Sequence, residues 1–275
     1  MSFFKKNKII LLYALFVLLI ILLVYERFLC HNLGVNWGTW PTFYANPYNH
    51  PVYLFLCRDA VLNTLNLWNE GNFVENLQVL LLFFSIILIF LTSSLIKKKN
   101  KYIYYFLIIK CIGLIYFFGE EISWGQHIFH WETHNIFLKY NIQDETNLHN
   151  ISNLLNELPR TLVLIWCSFS VITVVVISKF QKVNNFIYYV ICPSKNLIFI
   201  SLILIFFTLP DLIIDTFNLH PGHLENPKLA LFYDQISFNF LRLSELHELI
   251  FCYYFFIYSL TLKEIGMLKL YKTSK

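Results

Sequence analysis

Apolar residues run in long blocks along this chain, and polar residues gather at the ends of those blocks. Six blocks, at residues 9–25, 73–96, 102–118, 161–178, 197–217 and 238–262, reach or approach the ~20 helical residues that cross the hydrocarbon of a bilayer. A different pattern lies between the third and fourth. In NIQDETNLHNISNLLNELPR, Leu148, Ile151, Leu154, Leu155 and Leu158 recur at helical spacing, while His149, Asn150, Asn153, Asn156 and Glu157 fall mostly opposite. That periodicity predicts an amphipathic helix over 145–158 lying along a membrane surface, with Asp144 or Thr146 at its cap. The first block starts with lysines, as a signal peptide does. The LCHNLGVNWG that follows offers no small-x-small cleavage site, so the block is expected to be a retained span. The pattern predicts an all-α polytopic membrane protein, one domain over 1–275 with six spans and an interfacial helix.

Composition agrees and charge adds orientation. Of 275 residues, 57% are hydrophobic and 14% charged, against about 25% charged in soluble domains. With the N-terminus inside, fourteen lysines fall on the cytoplasmic side and six lysines and arginines on the other. Lysine and arginine excess marks the cytoplasmic side, so both termini are expected there, in a plasma (inner) membrane. Sixteen of the 17 acids and all nine histidines then lie on or near the outer face. The formal +4 conceals this polarity. Anionic lipid satisfies the basic side, and no nucleic-acid partner is needed. The six cysteines form no CxxC pair. Cys111, Cys167, Cys192 and Cys252 lie in or near spans and read as small buried apolar residues. Cys30 and Cys57 share the first outer loop, where a disulfide is an alternative to free thiols.

The third block ends in FFGEEISWGQHIFHWETH, residues 117–134. A helix continuing past Gly119 would place Glu120, Ser123, His127, His130 and His134 within an arc of ~80°, with Glu121 ~100° round from Glu120. Trp124 and Trp131 suit the water–lipid interface. The bland alternative is a wet helix end with an aromatic belt. Against it, paired acids beside an apolar span are costly without a role. Other blocks add acids at the same level. Glu75 and Asn76 open the second. Asp211 and Asp215 share a face of the fifth, where Pro210 should free a backbone carbonyl. Arg242, Glu245 and Glu248 share a face of the sixth, with His247 opposite, and an Arg–Glu pair within that helix is the plain alternative. Carboxylates gathered in the outer half of a membrane suit general acid–base chemistry or a divalent metal such as zinc. Lys110 lies mid-span in the third block. It is expected to snorkel toward the cytoplasm or to pair with Asp211.

GEEISWGQ followed by NIQDETNLHN resembles the pattern G-E-E-x-S-W-G-Q-R … N-x-Q-x-E-T-N-L-H-N of a set of uncharacterised bacterial polytopic membrane proteins. The match covers about thirty-five residues closely and carries over Glu120, Glu121, Ser123, Trp124, Gln126, Glu145, Asn147, His149 and Asn150. This chain departs at His127, where the pattern has arginine, and at His130 and His134. The paired Glu120 and Glu121 are also similar, more coarsely, to the E-E-x-x-x-R of CAAX-protease-type intramembrane peptidases, although Gly125 stands at the arginine position. Alkaline-ceramidase-like hydrolases offer a second coarse likeness, but the H-x-x-x-H spacing of His130 and His134 falls outside a late span.

The resemblance and the clustered acids together give one expectation. The protein would be an integral membrane hydrolase or transferase acting on a lipid or lipid-linked substrate. Glu120, Glu121, His149, Glu245 and Glu248 would carry the chemistry. Ser123, Trp124, Gln126, Asn147, Asn150 and Arg242 would hold the substrate. A metal would draw on Glu120, Glu121, His127 and His149. The alternative is a non-catalytic cation- or headgroup-binding accessory protein or a small transporter, the latter weakened by the lack of an inverted repeat.

Overall fold

A computed structural model describes residues 3–38, 73–129, 131–133, 137, 146–148, 151, 153–180, 190, 195–216 and 243–272. Regular structure among them is helical. Six long helices are α1 (Phe3–Gly38), α2 (Phe73–Ile96), α3 (Lys101–Glu121), α4 (Asn153–Phe180), α5 (Ile198–Thr216) and α6 (Leu243–Lys272). Each contains or closely overlaps one of the apolar blocks. The chain forms two compact units, one of residues 1–72 with 214–246 and one of 73–213 with 247–275. The second holds α2, α3, α4 and most of α5 and α6.

Helices α2 and α3 form an antiparallel hairpin. Lys97, Lys98 and Lys99 make its turn, and Asn100 caps α3 by accepting the Ile103 N–H at 3.0 Å. The buried face of α2 is polar in an unusual way. Gln78, Ser85, Thr92 and Ser93 are buried along with Leu82 and Ile89. Hydroxyls of Ser85, Thr92 and Ser93 donate to carbonyls of their own helix, those of Leu81, Leu88 and Phe90, at 2.6–2.7 Å. Small, internally satisfied side chains let two helix backbones approach in an apolar medium. The opposite face of α2 exposes Phe83, Phe84 and Phe90, and α3 exposes Tyr105, Ile109 and Ile112.

Helix α6 is buried nearly all round. Leu246, Leu249, Ile250, Tyr254, Ile257 and Ser259 each have no exposed surface. A helix apolar on every side belongs in the middle of a bundle, and three neighbours touch it within the second unit. Phe117 of α3 meets Phe255 at 6.0 Å between ring centroids. Trp166 of α4 meets Tyr254 at 5.7 Å. In α5, the carbonyl of Phe207 accepts from His247 Nε2 at 2.7 Å. Pro210 has no N–H for Phe206, four residues back, and disturbs this turn of α5. His247, expected to lie away from the working face, satisfies the next carbonyl along.

Within the amphipathic stretch 145–158 the described residues are helical from Asn153 onward. Residues 146–148 are irregular, and the helix beginning at Asn153 runs unbroken through Pro159 to Phe180. The N–H groups of Thr146 and Leu148 are engaged by side chains of the α3 end instead. Among the described residues, three helical stretches are long and apolar enough to cross a membrane: Lys8–Tyr25 within α1, α2 and α3. The purely apolar runs of α4 and α5, Thr161–Val174 and Ile198–Leu209, are shorter. Helix α6 carries Glu245, His247 and Glu248 in its first two turns, which lowers its hydropathy.

Candidate functional site

Helix α3 stops at Glu121 because the chain turns left-handed. Ile122 leaves the helix at φ −98°, and Ser123 (φ 44°), Trp124 (φ 54°) and Gly125 (φ 103°) follow. Positive φ costs a non-glycine residue roughly 1 kcal/mol or more. The turn persists because it folds Trp124 back over the helix it has just left. The indole Nε1 donates to Glu120 Oε1 at 2.6 Å, and the ring lies edge-on to Tyr116 with centroids 6.3 Å apart. Gly119 makes room for it, since a Cβ there would lie 2.9 Å from Trp124 Cε3. The continuous helical arc of Glu120, Ser123, His127, His130 and His134 is therefore broken after Glu121.

The turn also captures the later segment. Glu120 Oε2 accepts the Leu148 N–H at 2.7 Å, so N–H donors engage both carboxylate oxygens. Gln126 works similarly. Its Oε1 accepts the Thr146 N–H at 2.7 Å, and its Nε2 donates to Thr133 Oγ1 at 2.7 Å. Glu120, Ser123 and Asn147 are buried in this clamp. The two stretches that carried the resemblance are thus bound to each other by side chain-to-backbone hydrogen bonds. Thr133 is a participant that sequence reasoning missed, and Thr146, expected as a helix cap, gives its N–H to Gln126 instead.

Gly125 tests the clamp. A Cβ there would meet Trp131 Cη2 at 2.8 Å and Phe129 Cδ2 at 3.3 Å, in a backbone that L side chains rarely adopt. Trp131 and Phe129 are stacked at 5.8 Å. Gly125→Ala is expected to cost about 1–3 kcal/mol through overpacking and strain. Thermal unfolding in detergent reads this, and an unchanged midpoint would contradict the geometry.

The other acids divide between the two units. Glu121 and Glu248 are both half-buried in the second unit. Glu75 and Gln78 are buried at the start of α2, which the hairpin sets level with the end of α3. Gln78 was not anticipated, although it stands one turn after Glu75. Glu245 belongs to the first unit. His130, His134, His149, Asn150 and Arg242 lie outside the described residues, as do the side chains of His127, Asp211, Asp215 and Cys30, and all of Cys57.

Among the described residues, no three His, Cys, Asp or Glu side chains converge to hold a metal ion. Of the metal candidates, Glu120 is already engaged by Trp124 and Leu148. The described donors thus do not assemble a zinc set, and the chemistry below uses none.

Lys110 has partners of an unexpected kind. Its Nζ donates to Tyr258 Oη at 2.6 Å and to the Val190 carbonyl at 3.1 Å. The ammonium also lies 3.8 Å from the Trp166 ring centroid, 4.3 Å from that of Tyr258 and 4.8 Å from that of Phe106. Tyr258 donates in turn to Val190 O at 2.6 Å. Aromatic faces and a carbonyl thus attract this cation, and Tyr258, Trp166 and Val190 carry no mark in the sequence that foretells it.

Among the described residues, regular structure that is all helical, outward apolar faces and three helices fit to cross a bilayer define an integral membrane protein built of α-helices. Comparison with protein families, curated proteins and solved structures finds no match.

Proposed function

We propose that this is a six-span enzyme of the plasma membrane, termini inside, that hydrolyses or transfers a group on a lipid or lipid-linked substrate. Its reactive groups are Glu121 and Glu248. The observation that supports this is the clamp that fixes the end of α3, where Glu120 holds Trp124 and Leu148 with Glu121 next in the chain and Glu248 half-buried in the same unit. A carboxylate pair can supply a proton donor beside a proton acceptor, the arrangement general acid–base transfer requires. Glu120 is a positioning residue in this scheme. It holds Trp124 and Leu148, and so fixes where Glu121 stands. The lysine asymmetry supports the orientation, and the exposed apolar faces beside the site give lipid a route to it.

The test is complementation of a deletion strain. Glu121→Gln and Glu248→Gln should each abolish it at unchanged membrane levels. General acid–base groups contribute about 10²–10⁴-fold to rate. Full complementation by either variant would overturn the assignment. Metal analysis of the purified protein, with and without Glu121→Gln, separates this reading from a cation-binding accessory role.

A further inference from the structure

The turn between α2 and α3 concentrates charge of one sign. Lys97, Lys98, Lys99 and Lys101 fall within five residues, and all four are exposed. No Asp or Glu occurs in residues 76–119 to offset them. Hydrogen bonds fix the backbone that carries these lysines. Lys97 N–H donates to Ser93 O at 3.0 Å, Lys99 N–H to Ile96 O at 2.8 Å and Asn100 N–H to Ile96 O at 3.1 Å. The Lys97 ammonium lies 5.6 Å from the Tyr104 ring centroid, within cation–π reach, and is held toward α3.

An outward apolar stripe on α3 leads up to this charge. Tyr102 is 88% exposed, and Tyr105, Ile109 and Ile112 are 60–66% exposed. At 100° per residue these four and Lys101 lie within an arc of ~100°. Helix α3 is long and apolar enough to cross a bilayer, so the stripe faces acyl chains and the turn stands among headgroups. Tyr102 and Tyr105 sit at the interfacial depth where tyrosines collect. From the turn inward the order is ammonium, phenol, aliphatic. A phospholipid presents the matching order of phosphate, glycerol ester and acyl chain. The same KKNK run occurs at residues 5–8, but Ile9, Ile10 and Leu11 follow it where tyrosines follow here.

We propose that the α2–α3 turn is a binding site for one anionic phospholipid. Lys98 and Lys101 hold its phosphate, and Lys97 adds to the positive field. Tyr102 and Tyr105 donate their hydroxyls to phosphate and ester oxygens, and an acyl chain lies along Ile109 and Ile112. Four cations immediately beyond a membrane helix are what anionic headgroups recognise. A zwitterionic lipid brings an ammonium of its own, which the lysines repel. A free phosphate would engage the lysines but leave the stripe uncovered, so the occupant is a lipid. The site rests on the membrane crossing of α2 and α3, and not on the proposed chemistry at the far end of α3.

Thermal unfolding of the full chain in a maltoside detergent, with lipid added, tests this. A ligand of the folded state alone raises the midpoint once its concentration passes Kd. Phosphatidylglycerol should raise it saturably, and native mass spectrometry should show one retained lipid. Phosphatidylcholine and glycerol phosphate should do neither. Lys97→Gln, Lys98→Gln and Lys101→Gln together should weaken phosphatidylglycerol binding by about 10–100-fold. Lys5→Gln, Lys6→Gln and Lys8→Gln, which remove the same charge from the matching run, should leave it unchanged. Tyr102→Phe with Tyr105→Phe keeps every charge and ring and should weaken binding severalfold, which covers the case of a lysine variant that fails to fold. Equal shifts with phosphatidylglycerol and phosphatidylcholine would overturn the proposal, as would a glycerol phosphate effect equal to that of the lipid. Equal weakening by the two triple variants would also overturn it, since diffuse surface charge predicts that result. So would undiminished binding in the folded turn variants.

Discussion

Glu120→Ala is expected to lower stability by about 3 kcal/mol or more, while Glu121→Gln, one residue on, leaves stability nearly unchanged and removes function. The first change strips the acceptor from two N–H donors, Trp124 Nε1 and Leu148 N, both at 2.6–2.7 Å. Hydrogen bonds to a charged partner contribute ~1.5–3 kcal/mol each. A donor left buried adds its desolvation cost. The left-handed turn at Ser123 and Trp124 then loses the contact that offsets its strain. Glu120→Gln is an intermediate case. It keeps one acceptor oxygen but turns an NH₂ against one of the two donors, so about half of the loss should remain. Thermal unfolding in detergent, followed by the fluorescence of Trp124 and its neighbours, separates the three variants. Equal midpoints for Glu120→Ala and wild type would remove the clamp from consideration. A fall for Glu121→Gln as large as that for Glu120→Ala would make Glu121 structural too.

The second large effect concerns Lys110, and its sign depends on which partner is changed. Trp166→Leu should destabilise by roughly 2–3 kcal/mol, because it removes the closest aromatic face from a half-buried charge and leaves a void. Lys110→Met should be close to neutral. It gives up two hydrogen bonds and three aromatic contacts. It also abolishes the cost of holding an ammonium in an apolar medium, which is comparable in size. Combining the two changes should recover at least 1–2 kcal/mol of the Trp166→Leu loss, since neighbours in one network are not additive. Unfolding midpoints of the four proteins complete the cycle. Simple additivity would show that Trp166 and Lys110 do not share a network.

The chain's apolar blocks determined most of the helices. Solvation by lipid acts on each block separately, so a run such as Phe73–Ile96 declares its helix without help from distant residues. The sequence also marked Glu120, Glu121 and Gln126 as unusual, because acids and amides beside an apolar span are costly. What it could not determine was their separate roles. Helical periodicity assumed that α3 ran on through Ser123 to His134, whereas the helix ends at Glu121 and the indole of Trp124 closes back on Glu120. That choice depends on Leu148, twenty-eight residues away, whose N–H completes the carboxylate's coordination. The aromatic surround of Lys110 has the same character. It joins residues from different helices, and which helix faces meet is set by packing small side chains against large ones across the bundle. Local solvation energy is legible along a chain. Side-chain complementarity between helices exists only once they have come together.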